Sequence, residues 1–166
     1  MKKTTQIEKI VAARARQRVG EGNNKLFFLF TTSQVEEILT DIVVRPLPFA
    51  PSYLRGIAFW RNSLLPVIDL EKRFAFEDRK QSGKSRFVVI RAGTKESPVD
   101  GEVFRCVLKL SDDIHPIDIS ASGFVVNNEQ IGLESSLFRG IYRWNENVYV
   151  VPDLVFILQN QPGIEN

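Results

Sequence analysis

Cysteine, histidine and long apolar runs are scarce in this chain. One cysteine, Cys106, and one histidine, His115, occur in 166 residues. A lone thiol closes no internal disulfide, which fits a reducing compartment, so a cytoplasmic location is expected. Metal centres draw three or four ligands from His, Cys, Asp and Glu at set spacing, and no such set is visible. No apolar run approaches the ~20 residues that span a bilayer, so membrane insertion is not expected. The start of the chain has no apolar h-region and does not read as a secretory signal. No G-x-G-x-x-G follows a strand. Gly83-Lys84-Ser85 imitates the end of a phosphate-binding loop, but Asp78 stands where that loop needs glycine. No cofactor and no catalytic set are therefore expected. The reading turns from enzyme to binding module.

What is present is ordinary in amount and uneven in placement. Hydrophobic residues make up 43% and charged residues 25%, the balance of a globular chain long enough to bury a core. Residues 1–20 carry six basic groups (Lys2, Lys3, Lys9, Arg14, Arg16, Arg18) against Glu8. The remainder is slightly acidic. A basic arm of this kind can bind nucleic acid or acidic lipid, although a solvated end is the commoner case. Residues 5–19 read as helix, because Ile7, Ile10 and Val11 fall at i, i+3 and i+4 among alanines. Gly20, Gly22, Asn23 and Asn24 break that pattern, so residues 1–24 are expected to form a separate helical arm.

From Lys25 onward the texture becomes short runs rich in Val, Ile and Phe. Strands are expected over 26–31, 35–39, 42–45, 54–60, 64–68, 87–91, 103–110, 123–126, 138–144 and 148–151. Residues 35–40 also fit one helical turn. Pro46, Pro48, Pro51, Pro98, Pro116 and Pro152 punctuate the series. Many short strands with frequent turns predict an all-β protein of barrels or a sandwich. The charged stretch 77–86 reads as an exposed loop between two lobes, about 25–80 and 85–158, with a tail over 159–166.

The most informative feature is an internal repeat. Residues 54–70 (LRGIAFWRNSLLPVIDL) align without a gap on 138–154 (FRGIYRWNENVYVVPDL), with seven of seventeen positions identical. Both tryptophans, Trp60 and Trp144, are in that set, and so are Gly56 and Gly140, and Asp69 and Asp153. A fainter echo upstream pairs Arg45-Pro46-Leu47 with His115-Pro116-Ile117. The repeat predicts a duplicated hairpin. An Arg-Gly pair opens the first strand, an indole faces inward, a polar turn follows, and the return strand ends at an aspartate that caps a helical turn. Phe59 and Trp60 are adjacent on a strand and face opposite sides, so Phe59 is the one expected outside. Cys106, among apolar neighbours, reads as a buried inert thiol.

Residues 35–74 resemble the core signature of CheW-like domains. Val35, Glu37 and Ile38 match its first element. Gly56, Arg61, Pro66, Val67, Asp69 and Leu70 match its Gly-to-Asp-Leu block. The resemblance covers roughly residues 25–158. It implies two small SH3-like five-stranded barrels around a shared core. Asn62 stands where the family has glycine after Arg61, which suits a residue tolerant of positive φ. Pro98-Val99-Asp100-Gly101 is the nearest match to a second-lobe strand. The family's aromatic first strand is not evident, so either the first barrel is completed differently or an edge is left open to pairing, hence to a homodimer.

In function, the resemblance implies a non-catalytic adaptor between chemoreceptor cytoplasmic tips and the regulatory domain of a CheA-type histidine kinase. The residues it points to for receptor and kinase contact are Val35, Glu37, Gly56, Phe59, Arg61 and Leu108. A turn arginine is more commonly just solvated. The competing readings are a basic-armed barrel on single-stranded nucleic acid, and a small enzyme with an unfamiliar site. Within the adaptor class, a scaffold of surface, pilus-based motility is also open.

Overall fold

The computed structural model describes residues 9–76, 83–93, 103–119, 123–127 and 131–159. The motif at residues 98–101, the start of the basic arm and most of the C-terminal tail lie outside these. Twelve strands are described: β1 (Ile10–Val19), β2 (Asn24–Thr31), β3 (Val35–Leu39), β4 (Val44–Arg45), β5 (Leu54–Trp60), β6 (Ser63–Asp69), β7 (Ser85–Gly93), β8 (Val103–Ser111), β9 (Ile114–Ile117), β10 (Val125–Val126), β11 (Phe138–Trp144) and β12 (Asn147–Pro152). Two short helices, α1 (Leu70–Arg73) and α2 (Leu154–Gln159), follow the two repeat hairpins.

The strands form two six-stranded sheets, ordered β3-β7-β8-β6-β5-β4 and β10-β11-β12-β2-β1-β9. The first, the medial lobe, uses residues 35–111. The second, the terminal lobe, uses 10–31 together with 114–152. The two orders correspond strand for strand. β5–β6 matches β11–β12, the parallel neighbour β8 matches β2, β7 matches β1, and the edges β3 and β4 match β9 and β10. In chain order the terminal lobe is a circular permutation of the medial one. Its last hairpin is supplied by the chain's beginning.

This topology corrects two expectations and decides a third point. Residues 10–19 form a strand, not a helical arm. Ala12 sits opposite Leu29 and Ala13 opposite Phe28. Small side chains there make room for large neighbours, so packing overrides alanine's helix preference. The alternation Ala13-Arg14-Ala15-Arg16 carried that signal at period two. The division near residues 80–85 also fails to separate the sheets, because β1 and β2 belong with the C-terminal strands. Finally, of the two outcomes left open for the missing first strand, completion or an open edge, the structure shows completion: β1 lies between β2 and β9. Among the described residues the outermost strands are β3, β4, β9 and β10. The upstream echo has no structural counterpart, since Arg45 ends β4 whereas His115 lies in β9.

Each sheet curls around its own small cluster. The medial one holds Ala58, Trp60, Leu65, Val67, Val89 and Val107. The terminal one holds Ala12, Phe27, Leu29 and Tyr149, with Phe124 and Trp144 packed on it. A larger core fills the space between the sheets, where Phe28, Leu26, Ile68, Ile90, Leu108 and Val150 meet. Along β2, Leu26, Phe28 and Phe30 face that shared core while Phe27 and Leu29 face the terminal lobe's interior. A strand buried on both faces reads as an unbroken apolar run, as LFFLF does. The lobes are clasped by Arg16, at an irregularity of β1. Its backbone N–H and guanidinium both donate to Glu71 in α1, and Nη2 reaches Ser85 Oγ at 3.1 Å.

Candidate docking surface

The hairpin β5–β6 turns at Arg61-Asn62. Arg61, not Asn62, takes the left-handed conformation, at φ 49°. A bulky residue holds that conformation only where its surroundings enforce it. Here they do. The Arg61 guanidinium carbon stands 4.4 Å above the Trp60 ring. Its Nη2 lies 3.7 Å from Glu37 Oε2 on the edge strand β3. The same carboxylate oxygen accepts a hydrogen bond from Trp60 Nε1 at 2.6 Å. One carboxylate therefore joins the sheet's edge strand to the hairpin tip and holds a cation there. The Arg61 side chain is 69% exposed, so the held charge faces water.

Alongside, Arg105 on β8 makes a forked contact with Glu36, at 2.7 and 3.2 Å. That hydrogen bonding holds the Glu36 carboxyl below its ordinary range, against a smaller opposing effect of burial. Glu36 and Glu37 are adjacent at an irregularity of β3 that interrupts strict alternation. Each anchors β3 to a different part of the lobe.

On the outer face of the hairpin, Phe59 and Leu64 sit directly opposite each other. They are 66% and 63% exposed. Val43, just before β4, is more exposed still. Of the residues expected to make contacts, Glu37, Arg61 and Phe59 thus gather around one hairpin. Val35 begins β3 half-buried, packed on the shared core. Gly56 is buried, and its place is conformational: φ is 141°, and a β-carbon there would stand 2.1 Å from the Arg45 carbonyl oxygen. Leu108 is corrected outright. It is fully buried between the sheets and reaches no partner. Sequence reasoning missed Leu64 and the indole N–H. A two-residue turn after Trp60 would have placed Leu64 across from Phe59.

Two clefts, of about 560 and 300 Å³, are lined mainly by apolar residues such as Ile131, Leu133, Phe124 and Val151, and among the described residues neither lining contains an acidic or basic side chain. Among the described residues, no group of three or more His, Cys, Asp or Glu is placed to hold a metal. Burial pushes the Cys106 thiol up to about 12, which keeps it protonated and unreactive. No described helix is long and apolar enough to cross a membrane. Three arginines of the expected basic arm are built into β1. Arg14 faces Asp113, Arg16 holds Glu71, and Arg18 donates to the Asn23 carbonyl.

A family model described as CheW-like domain matches residues 17–161. The chain belongs to the CheW-like domain family. Chemotaxis protein CheW of Treponema pallidum (strain Nichols) is 26% identical to this CheW-like chain over 124 residues, 72% of the chain and 68% of that protein. The scaffolding protein TtCheW of Thermoanaerobacter tengcongensis shares the fold. Its crystal structure covers 93% of this chain and 94% of its own, with a TM-score of 0.66 at 21% identity.

Proposed function

We infer that this chain is a non-catalytic chemosensory adaptor, working in the cytoplasm to couple chemoreceptor tips to a CheA-type histidine kinase. The observation that carries the reading is the Glu37–Trp60–Arg61 cluster, which fixes an exposed guanidinium beside an uncovered apolar face. An adaptor needs these two elements together. Apolar side chains supply contact area, and an oriented charge selects the partner and its register. Arginine suits this task because its fork meets carboxylates and carbonyl oxygens in a defined plane. Val35 and Glu37 border the receptor side, and Phe59 faces the kinase. The name of the Treponema pallidum relative and the scaffolding title of TtCheW agree with this class. Whether the output is flagellar or pilus-based motility depends on the receptors served.

The nucleic-acid reading is less well supported, since the β1 arginines face protein acceptors instead of forming a free basic stripe. Steeply salt-dependent oligonucleotide binding would revive it. The direct test is capture of the kinase regulatory domain by the purified chain, with calorimetry on a receptor-tip fragment. Arg61→Ala is expected to keep the fold and to weaken the receptor-tip interaction roughly tenfold. Equal affinity for the variant would remove the role given to Arg61.

A further inference from the structure

Along β3 the side chains change face in a way that simple alternation does not give. Val35 lies opposite Ile90, whose side chain fills the shared core. Glu37 lies opposite Val89, which belongs to the medial lobe's own cluster, and Leu39 packs on that cluster as well. In a regular strand Val35, Glu37 and Leu39 would share one face. They do not, because two steps along β3, from Val35 to Glu37, match a single step along β7. Glu36 is the extra residue. A bulge of this kind re-aims the side chains that follow it. Here it turns Glu37 away from the shared core and brings its carboxylate to Trp60 Nε1 and Arg61 Nη2, at 2.6 and 3.7 Å.

The extra residue is itself held. Arg105 reaches Glu36 from β8, on the far side of β7, and its Nε and Nη2 both donate to the carboxylate. Arg91, opposite Arg105 on β7, and Arg61 also attract that carboxylate. Like charges directly opposite each other repel, and Glu36 supplies the acid that offsets the Arg91–Arg105 pair. Among the described residues the terminal lobe has no such device. Its edge strand β9 pairs with β1 without irregularity and carries no acid, and Trp144 stacks on Phe124 instead. The terminal hairpin is braced by Arg139, whose Nε donates to Asp153 at 3.2 Å. The medial counterpart, Arg55, has no such brace among the described residues, since Asp69 is engaged by Lys109 at 3.6 Å. The medial hairpin is braced through β3.

We propose that Glu36 and Arg105 are positioning residues for the contact site: Arg105 locks the bulge at Glu36, and the locked bulge delivers Glu37 to Trp60 and Arg61. Neither residue has to touch a partner. With the fork lost, β3 is free to shift toward regular pairing, in which Glu37 faces the other way and Arg61 loses its anchor. The effect on docking rests on the adaptor reading; the effect on Trp60 does not.

The test reads the Trp60 indole directly. Proton–nitrogen correlation NMR of the full chain gives one indole signal for each tryptophan, and Trp144→Phe assigns them. Glu37→Ala marks where the unbonded Trp60 signal falls. Arg105→Ala is expected to move the Trp60 signal most of the way to that mark while the Trp144 signal stays in place. Arg105→Lys keeps the charge without the fork and should move it less. A Trp60 signal unmoved by Arg105→Ala overturns the proposal. Where Arg105→Ala melts early by circular dichroism, Glu36→Ala breaks the same contact from the other strand and carries the same expectation. Calorimetry with a receptor-tip fragment from the same organism supplies the functional arm. Arg105→Ala should weaken binding roughly threefold or more, and should add nothing in a chain that already carries Glu37→Ala, because the two act in series. Additive losses mean that Arg105 meets the partner itself, and they overturn the positioning role. A moved Trp60 signal with unchanged affinity also overturns that role and leaves the adaptor reading standing. A wild-type chain that binds no receptor tip overturns the adaptor reading, and the Trp60 signal still decides the bulge.

Discussion

The two Arg-Gly hairpins share seven of seventeen residues and the same place in their sheets, yet they differ in what holds them and in what they leave exposed. In the medial hairpin, Gly56 lets β4 come close enough that no β-carbon fits, and Trp60 is buried with its N–H satisfied by Glu37. In the terminal hairpin, Gly140 has an ordinary φ, and Trp144 is only half-buried, stacked on Phe124 with centroids 5.2 Å apart. Its turn takes two left-handed residues, Asn145 and Glu146, whereas the medial turn takes one, Arg61. A duplicated sequence conserves the scaffold positions of a hairpin. It does not conserve the neighbours, and the neighbours decide which copy is covered and which faces outward.

That contrast is breakable. The largest expected effect comes from alanine at the paired glycines. Gly56→Ala forces a β-carbon against backbone and should cost roughly 3 kcal/mol or more. Gly140→Ala meets the far end of Tyr142, which can move, and should cost about 1 kcal/mol. Denaturant midpoints measure both, and equal losses would erase the distinction between the hairpins. Next are the indoles. Trp60→Ala should cost on the order of 3–5 kcal/mol, as for a core aromatic. Trp144→Ala should cost roughly 2 kcal/mol, because less area leaves water. Thermal melts that rank Trp144 above Trp60 would reverse the assignment of the better-buried ring.

The smallest effect concerns the edge strands. β3 is anchored by Glu36, whose carboxyl is held low by Arg105. A carboxyl depressed in the folded state stabilises above its unfolded pKa, and that contribution is lost as pH falls through the folded value. Wild type should therefore exceed Glu36→Gln in melting temperature near neutrality, and the gap should close below about pH 4. The gap is small because the pair is partly solvated. A gap that widens with acid would contradict the Arg105 contact.

Some of this was plain in the residues. Ten of the twelve strands were marked by Val, Ile and Phe runs between turn residues, and the duplication was carried by Arg-Gly, Trp and Asp-Leu at fixed spacing. The capping of α1 and α2 by Asp69 and Asp153 follows from aspartate's preference for helix starts, and both caps are made. Phe59 was legible as the outward partner of Trp60. β1 was not, because alanine reads as helix in isolation and becomes a strand residue only against Leu29 and Phe28. The fate of Leu108 was hidden for a similar reason. An apolar side chain in a strand declares that it wants burial, not whether a second sheet lies above it.

The sequence by itself determined that the chain is mostly β and that it contains one hairpin motif twice, since periodicity, turn chemistry and residue inventory are local properties. Tertiary structure alone decided that the chain's beginning completes the lobe at its end, that Glu37 reaches Trp60 and Arg61, and that Arg139 finds a carboxylate where Arg55 does not. Each of these depends on groups far apart in sequence meeting within a few ångströms, and side-chain charge and packing act over that distance and no further.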